Sequence, residues 1–238
     1  MNKLELTPNQ AISIDVDGSL SITIKQTDLI PYLEIHNDSD EIEKSVFDNQ
    51  ISLKDKLKNE RVNKDELFNH TRDLKSNPSP LEVISNFILD LVDIAHKGKG
   101  IKSNSVHIIC TLYVNKNSII DIDCSNAKIV LDNITLEKLT INSSNMKFSG
   151  NTYRIQKLRI DSSNFDAELR FDKENNNIKI NGSNADLVIH TTDEFDGHID
   201  LDYSSLKTES KAILAKMVNK RSGLLSGDFS NLKLKIYS

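Results

Sequence analysis

The sequence predicts a mainly β chain: a single-stranded parallel β-solenoid, or β-helix, of about 19–21 residues per coil, with a helical insertion and a short C-terminal helix packing on or capping it. Three observations predict this. A Ser-Asn pair recurs, and its asparagines, Asn126, Asn145, Asn164 and Asn184, lie 19, 19 and 20 residues apart. Apolar residues alternate inside each copy, as in Leu158 and Ile160 followed by Phe165, Ala167 and Leu169; period two is the mark of strands. Finally, two short strands and two turns in about twenty residues are too short for a βαβ crossover or a propeller blade, and suit one coil of a stacked repeat.

Stacking successive copies about 4.8 Å apart turns sequence columns into structural rows. Ile122, Ile141, Ile160, Ile180 and Leu201 are expected as an interior aliphatic stack. Cys124, Ser143, Ser162 and Gly182 form a small-residue column where the wall bends. The serines Ser125, Ser144, Ser163, Ser183 and Ser204 and the asparagine column fall at that bend. There Asn tolerates left-handed backbone, and stacked amides hydrogen-bond along the axis. These residues therefore receive a structural role, since a catalytic serine repeated in every coil would serve nothing. Two further copies, "IDLDYSSLK" and "DFSNLKLKIY", put Ser205 and Asn231 in the Asn column. An outward row, Asp123, Asn142, Asp161, Asn181 and Asp202, alternates charged with neutral. Adjacent carboxylates would repel by roughly 1 kcal/mol even at water's dielectric, so the alternation reads as repulsion management. Cation or carbohydrate binding along that row is the other reading.

Upstream, "AISIDVDGSLSITI" is a diverged copy with Asp17-Gly18 at the bend, and "YLEIHND" follows at about one period. The predicted organisation is one continuous domain: N-terminal coils over 1–49, a helical insertion over 50–104, and the main solenoid over 105–238. Within the insertion, Ser79 and Glu82 make a capping box, Pro80 opens and Gly98 closes a helix over about 80–97. Leu81, Ile84, Phe87, Ile88 and Leu91 line its apolar face, which is expected to cover the solenoid or to form a dimer interface. A second helix over about 209–221 carries Ile213, Leu214, Met217 and Val218 on one side.

Composition narrows function mainly by exclusion. A net charge of −5, no Trp and only 5% aromatic residues argue against a nucleic-acid binder. No apolar run is long enough for a transmembrane helix and no signal peptide stands at the N-terminus, so the expected location is cytoplasmic, with an extracytoplasmic one as the alternative. Cys110 and Cys124 define neither a disulfide framework nor a four-ligand zinc site, and are expected as small buried strand residues. The six histidines, His36, His70, His96, His107, His190 and His198, follow no metal spacing, and no catalytic motif occurs. No catalytic, metal-binding or cofactor-binding residue is expected. Outward acids such as Asp161 and Asp202 would carry the chemistry if the chain processed sugars.

The stretch "HIICTLYVNKNSIIDIDCSNAKIVLDNITLEKLTINSSNMKFSGNTYRIQKLRIDSSNFDAEL" resembles the bacterial "putative adhesin" β-solenoid family of unknown function. The turn "VNKNS" over 114–118 matches that pattern, and Asn126, Asn145, Asn164 and Asn184 stand where the family usually has Gly. The resemblance spans roughly 104–210, with a weaker echo over 10–45. It implies a parallel β-solenoid with no assigned catalytic residues. The expected function is a rigid non-enzymatic scaffold that engages a protein partner or a second copy of itself. A surface adhesin or glycan-binding protein is the alternative.

Overall fold

The computed structural model describes residues 2–37, 42–55, 107–171, 177–191, 198–208 and 224–237. Within them every element is a strand: β1 (Asn2–Glu5), β2 (Ile12–Gln26), β3 (Tyr32–Ile35), β4 (Ile42–Phe47), β5 (Gln50–Asp55), β6 (His107–Val114), β7 (Ser118–Phe171), β8 (Asn177–Thr191), β9 (His198–Thr208) and β10 (Leu224–Tyr237). They form one large, mostly parallel sheet in the order β1-β3-β6-β2-β7-β8-β10-β9, with β5 beside β2 and β4 beside β5. The helices expected over 80–97 and 209–221, and with them Leu81, Ile84, Phe87, Ile88 and Leu91, lie outside the described residues.

The period-two alternation of the sequence is the burial pattern of the strands. In β2 every second residue from Ile12 to Ile24 is buried. Ile122, Ile141, Ile160 and Ile180 of the predicted aliphatic column, and Ile14 in register with Ile122, are at most 1% exposed. Burying each of these side chains contributes about 1.5–3 kcal/mol. Ile14 pairs with Ile122 and Ile160 with Ile180 in parallel register. β7 returns on itself, because asparagines 19 residues apart within it bond side chain to side chain. One hydrophobic core runs through the described strands from Leu6 to Ile236. Cys110 and Cys124 sit in it as free thiols, as expected. Burial pushes Cys110 up to about 12 and Cys124 up to about 11, so both stay protonated and poorly nucleophilic at neutral pH.

The structure corrects four expectations about how the copies assemble. First, β10 lies between β8 and β9. The last two copies therefore stack in the reverse of chain order: Gly227, not Leu201, follows Ile180 at the same register offset, and Leu201 pairs with Gly227. Second, "YLEI" is not a parallel copy. β3 runs antiparallel to β6, and β1 antiparallel to β3. Third, strand structure continues to Asp55, six residues into the segment read as a helical insertion, because Gln50–Leu53 hydrogen-bonds to Ser13–Val16. Fourth, Ser19, not Gly18, aligns with Asn126. Asp17 and Gly18 together face the single residue Ser125, a bulge in which Gly18 takes a φ of 152° that a side chain rarely adopts.

Left-handed asparagines do occur, but at turns rather than in the Asn column. Asp48 and Asn49 (φ 46° and 61°) make the two-residue hairpin between β4 and β5, the positive-φ pair that matches strand twist. Asn49 is buried, and its amide clamps Thr7 by accepting from the Thr7 N–H (2.7 Å) and donating to the Thr7 carbonyl (2.8 Å). Asn117 (φ 63°) turns the chain within "VNKNS", where Asn115 Nδ2 donates to the Thr27 and Leu29 carbonyls.

Candidate functional site

Parallel register brings the asparagines of successive passes side by side on the outer face. Asn231 Nδ2 donates to Asn184 Oδ1 (2.9 Å), Asn184 to Asn164 (2.8 Å), Asn164 to Asn145 (3.0 Å) and Asn145 to Asn126 (2.8 Å). Asn126 Nδ2 then donates to Ser19 Oγ (3.2 Å). The predicted residues Asn126, Asn145, Asn164 and Asn184 thus form one row, and Asn231 joins it directly after Asn184, with Ser205 beyond. All the amides point the same way, so their dipoles add.

The serines behave differently from expectation. Ser125, Ser144, Ser163 and Ser183 stand exposed at the corner. The hydroxyls that hold the corner belong to the small-residue column instead: Ser143 Oγ donates to the Asn145 carbonyl (2.8 Å) and Ser162 Oγ to the Asn164 carbonyl (3.0 Å). Small side chains at these positions let the hydroxyl reach back two residues to the backbone of the bend.

Two residues after each asparagine, on the same outward parity, runs a second row that the repeat analysis overlooked. It reads Ser21, Lys128, Lys147, Asp166, Asp186, Lys233 and Lys207 across the sheet. The signal was present as the fourth letter of "SNAK", "SNMK", "SNFD", "SNAD", "SNLK" and "SSLK". Lys147 bridges to Asp166 at 3.4 Å, and Lys233 to Asp186. Exposed pairs of this kind contribute at most about 1 kcal/mol each. The two rows line a groove of about 760 Å³ that crosses the strands, reaching from His107 to Ser205 and Lys207. Apolar residues also line its floor but are individually well covered: Ala127 and Ala185 are 7% exposed, Met146 and Phe165 5%.

The second outward row, on the other side of the bend, is less regular than its sequence suggested. Asn181 Nδ2 donates to Asp161 Oδ1 (2.7 Å), and Arg159 Nε lies 2.6 Å from Asp161 Oδ2. At the ends the alternation fails, since Asp15 pairs with Asp123 and Asp228 with Asp202. Among the described residues, no group of three or more His, Cys, Asp or Glu could hold a metal, and no helix is long and apolar enough to cross a membrane.

The amide row makes a sharp prediction. Asn164→Asp keeps the bond accepted from Asn184 but sets two oxygens against each other where Asn164 now donates to Asn145. We expect a loss of about 1–2 kcal/mol near neutral pH. The facing carbonyl disfavours the carboxylate, so its folded-state pKa rises; the penalty is present above that pKa and disappears as pH falls through it. Urea midpoints of variant and wild type, compared near neutral pH and below the carboxylate range, check this. An equal gap at both pH values would contradict the bonding assigned here.

No protein-family model matches the sequence, and no curated protein matches it. Among solved structures, the chain is similar to a "putative cell adhesion protein" from Clostridium sporogenes ATCC 15579, with a TM-score of 0.44 at 10% identity, over 99% of this chain and 97% of that one. It is similar to a "putative adhesin" from Bacteroides fragilis NCTC 9343, with a TM-score of 0.36 at 12% identity, over 100% and 96%. A "putative adhesin" from Parabacteroides merdae ATCC 43184 has a TM-score of 0.30 at 12% identity, over 100% and 96%.

Proposed function

We propose that this chain is a β-solenoid of about 19–21 residues per coil acting as a rigid, non-enzymatic interaction module, and that the groove over its asparagine ladder is the surface it presents. The observation that carries this reading is the uninterrupted amide row from Asn231 to Asn126. Each inner amide spends one N–H and one oxygen lone pair on its neighbours and holds its second N–H in fixed orientation, so a ligand meets polar groups that lose little freedom on binding.

The groove suits an extended, hydroxyl-rich chain such as a polysaccharide better than an apolar peptide. Hydrophobic partners need pockets for buried anchors, and here Met146, Phe165 and Leu232 are all at most 5% exposed and offer an anchor little surface. Amide and charged side chains at regular spacing match hydroxyl donors and acceptors. This reading favours the glycan-binding alternative over a protein partner, and with it an extracytoplasmic location; fractionation of cells expressing the protein tests that location directly.

A blocked-groove variant tests the binding role. Asn145→Arg/Asn164→Arg fills the middle of the groove with two long cations. We expect wild type to bind members of an immobilised polysaccharide panel, and the variant, with an unchanged circular dichroism spectrum, to lose at least tenfold in affinity. If wild type binds no polysaccharide while light scattering gives a dimer that the variant abolishes, the ligand is a second copy of the chain. Full binding by a folded variant overturns the groove assignment.

A further inference from the structure

The amide ladder has a direction, and its two ends differ chemically. Every Nδ2 donates towards β2, so the chain of amides presents its donor end at Ser19 and its acceptor end at Asn231 Oδ1. Aligned amide dipoles place partial positive charge at the donor end, as the peptide dipoles of a helix do at its N-terminus. Ser19 Oγ accepts the last bond, which leaves its own hydroxyl proton to donate outward. Beside it, Ser21 Oγ lies 3.0 Å from His107 Nε2, and Lys128 stands opposite Ser21 in register.

Positive charge at this end is poorly balanced. The next lysine of the row, Lys147, has Asp166 as a counter-charge at 3.4 Å, and Lys25, further along β2 from Ser21, has Asp132, also at 3.4 Å. Lys128 has no ionic partner among the described residues. Asp17, the carboxylate of the adjacent bulge, already carries an interaction of its own. Lys207, at the opposite end, lies on the acceptor side of the ladder, where partial negative charge already favours an ammonium group.

We infer that the donor end of the ladder, formed by Ser19, Ser21, His107 and Lys128, is a binding site for an oxyanion, a carboxylate or sulfate group carried by the ligand in the groove. This rests on the groove reading above and adds polarity to it: an acidic saccharide chain would bind in one orientation, with an anionic residue at the β2 end. The Ser19 hydroxyl donor, the hydrogen-bonded Ser21–His107 pair, the aligned amides and one ammonium lie together there, the mixture of fixed dipoles and charge that recognises oxyanions.

Titration with a uronate hexasaccharide, a neutral hexasaccharide and sodium sulfate, followed by calorimetry and by amide NMR shifts, separates the possibilities. We expect the uronate to bind at least tenfold more tightly than the neutral chain, with shifts at Ser19, His107 and Lys128, and sulfate to shift the same residues weakly. Lys128→Gln should remove the tenfold preference, bringing the uronate down to the affinity of the neutral chain. Ser19→Asp, which supplies its own carboxylate at the ladder's end, should do the same while keeping the fold. Lys207→Gln should leave the tenfold preference for the uronate in place. If both saccharides bind equally and Lys128→Gln is silent, the oxyanion site fails and the groove survives. If neither saccharide shifts any groove residue, both readings fall.

Discussion

Gly227→Ala is expected to destabilise the protein by about 3 kcal/mol or more, among the largest effects of any single methyl group in this chain. A Cβ at Gly227 would lie 1.9 Å from the Ile180 carbonyl oxygen and 2.8 Å from the Phe229 ring. The first contact is backbone of the neighbouring strand, which cannot swing aside as a side chain can. Gly227 also stands in register with an isoleucine column, and the Phe229 ring occupies the space a larger residue would take. Gly182→Ala is the graded comparison: its Cβ would meet the Ser162 carbonyl at 2.6 Å and the Phe165 ring at 3.0 Å, so its cost should be smaller. Trimming the ring with Phe229→Leu should rescue little of Gly227→Ala, because the carbonyl contact remains. Urea denaturation followed by circular dichroism gives the order, and a Gly227→Ala protein as stable as wild type would show that β10 does not pack against β8 as described.

Much of this arrangement was legible in the sequence, and the gaps have physical causes. The period of the Ser-Asn copies placed Asn126, Asn145, Asn164 and Asn184 in one column, and register and hydrogen bonds put them there. A period, however, gives which residues are equivalent and not which copies touch. The copies at Ser205 and Asn231 fit the column equally well, and only packing decides that β10 is inner and β9 outer. That packing pairs Phe229 with Phe165 at 6.0 Å and continues the amide chain without a break, whereas Ser205 at the inner position would interrupt it. Alternation likewise reports which residues face inward but is the same read in either direction, so the antiparallel course of β3 left no trace in "YLEI". Left-handed backbone was assigned to the wrong asparagines: the column needs amide bonding, which extended geometry supplies, while Asn49 and Asn117 take positive φ at turns and Asn133 does so within β7.

The second large effect concerns the aliphatic column itself. Ile160→Ala should cost about 3 kcal/mol, since the side chain is fully buried and a cavity between packed strands collapses only partly. Ile180→Ala should cost a similar amount. The two residues are direct partners across β7 and β8, so their losses should not add: each truncation exposes the same void, and a double-mutant cycle should give a coupling of about 0.5–3 kcal/mol. Ile14 lies in the same column but pairs with Ile122, several strands away from β8. A cycle between Ile14→Ala and Ile180→Ala should therefore give additive losses within about 0.5 kcal/mol. Coupling that falls off with strand separation, and not with distance along the chain, is what a stack of equivalent coils requires, because each layer touches only its neighbours. If Ile160 and Ile180 prove additive while Ile14 and Ile180 couple, the rows are not layered in this order, and the continuous amide ladder built on the same register loses its foundation.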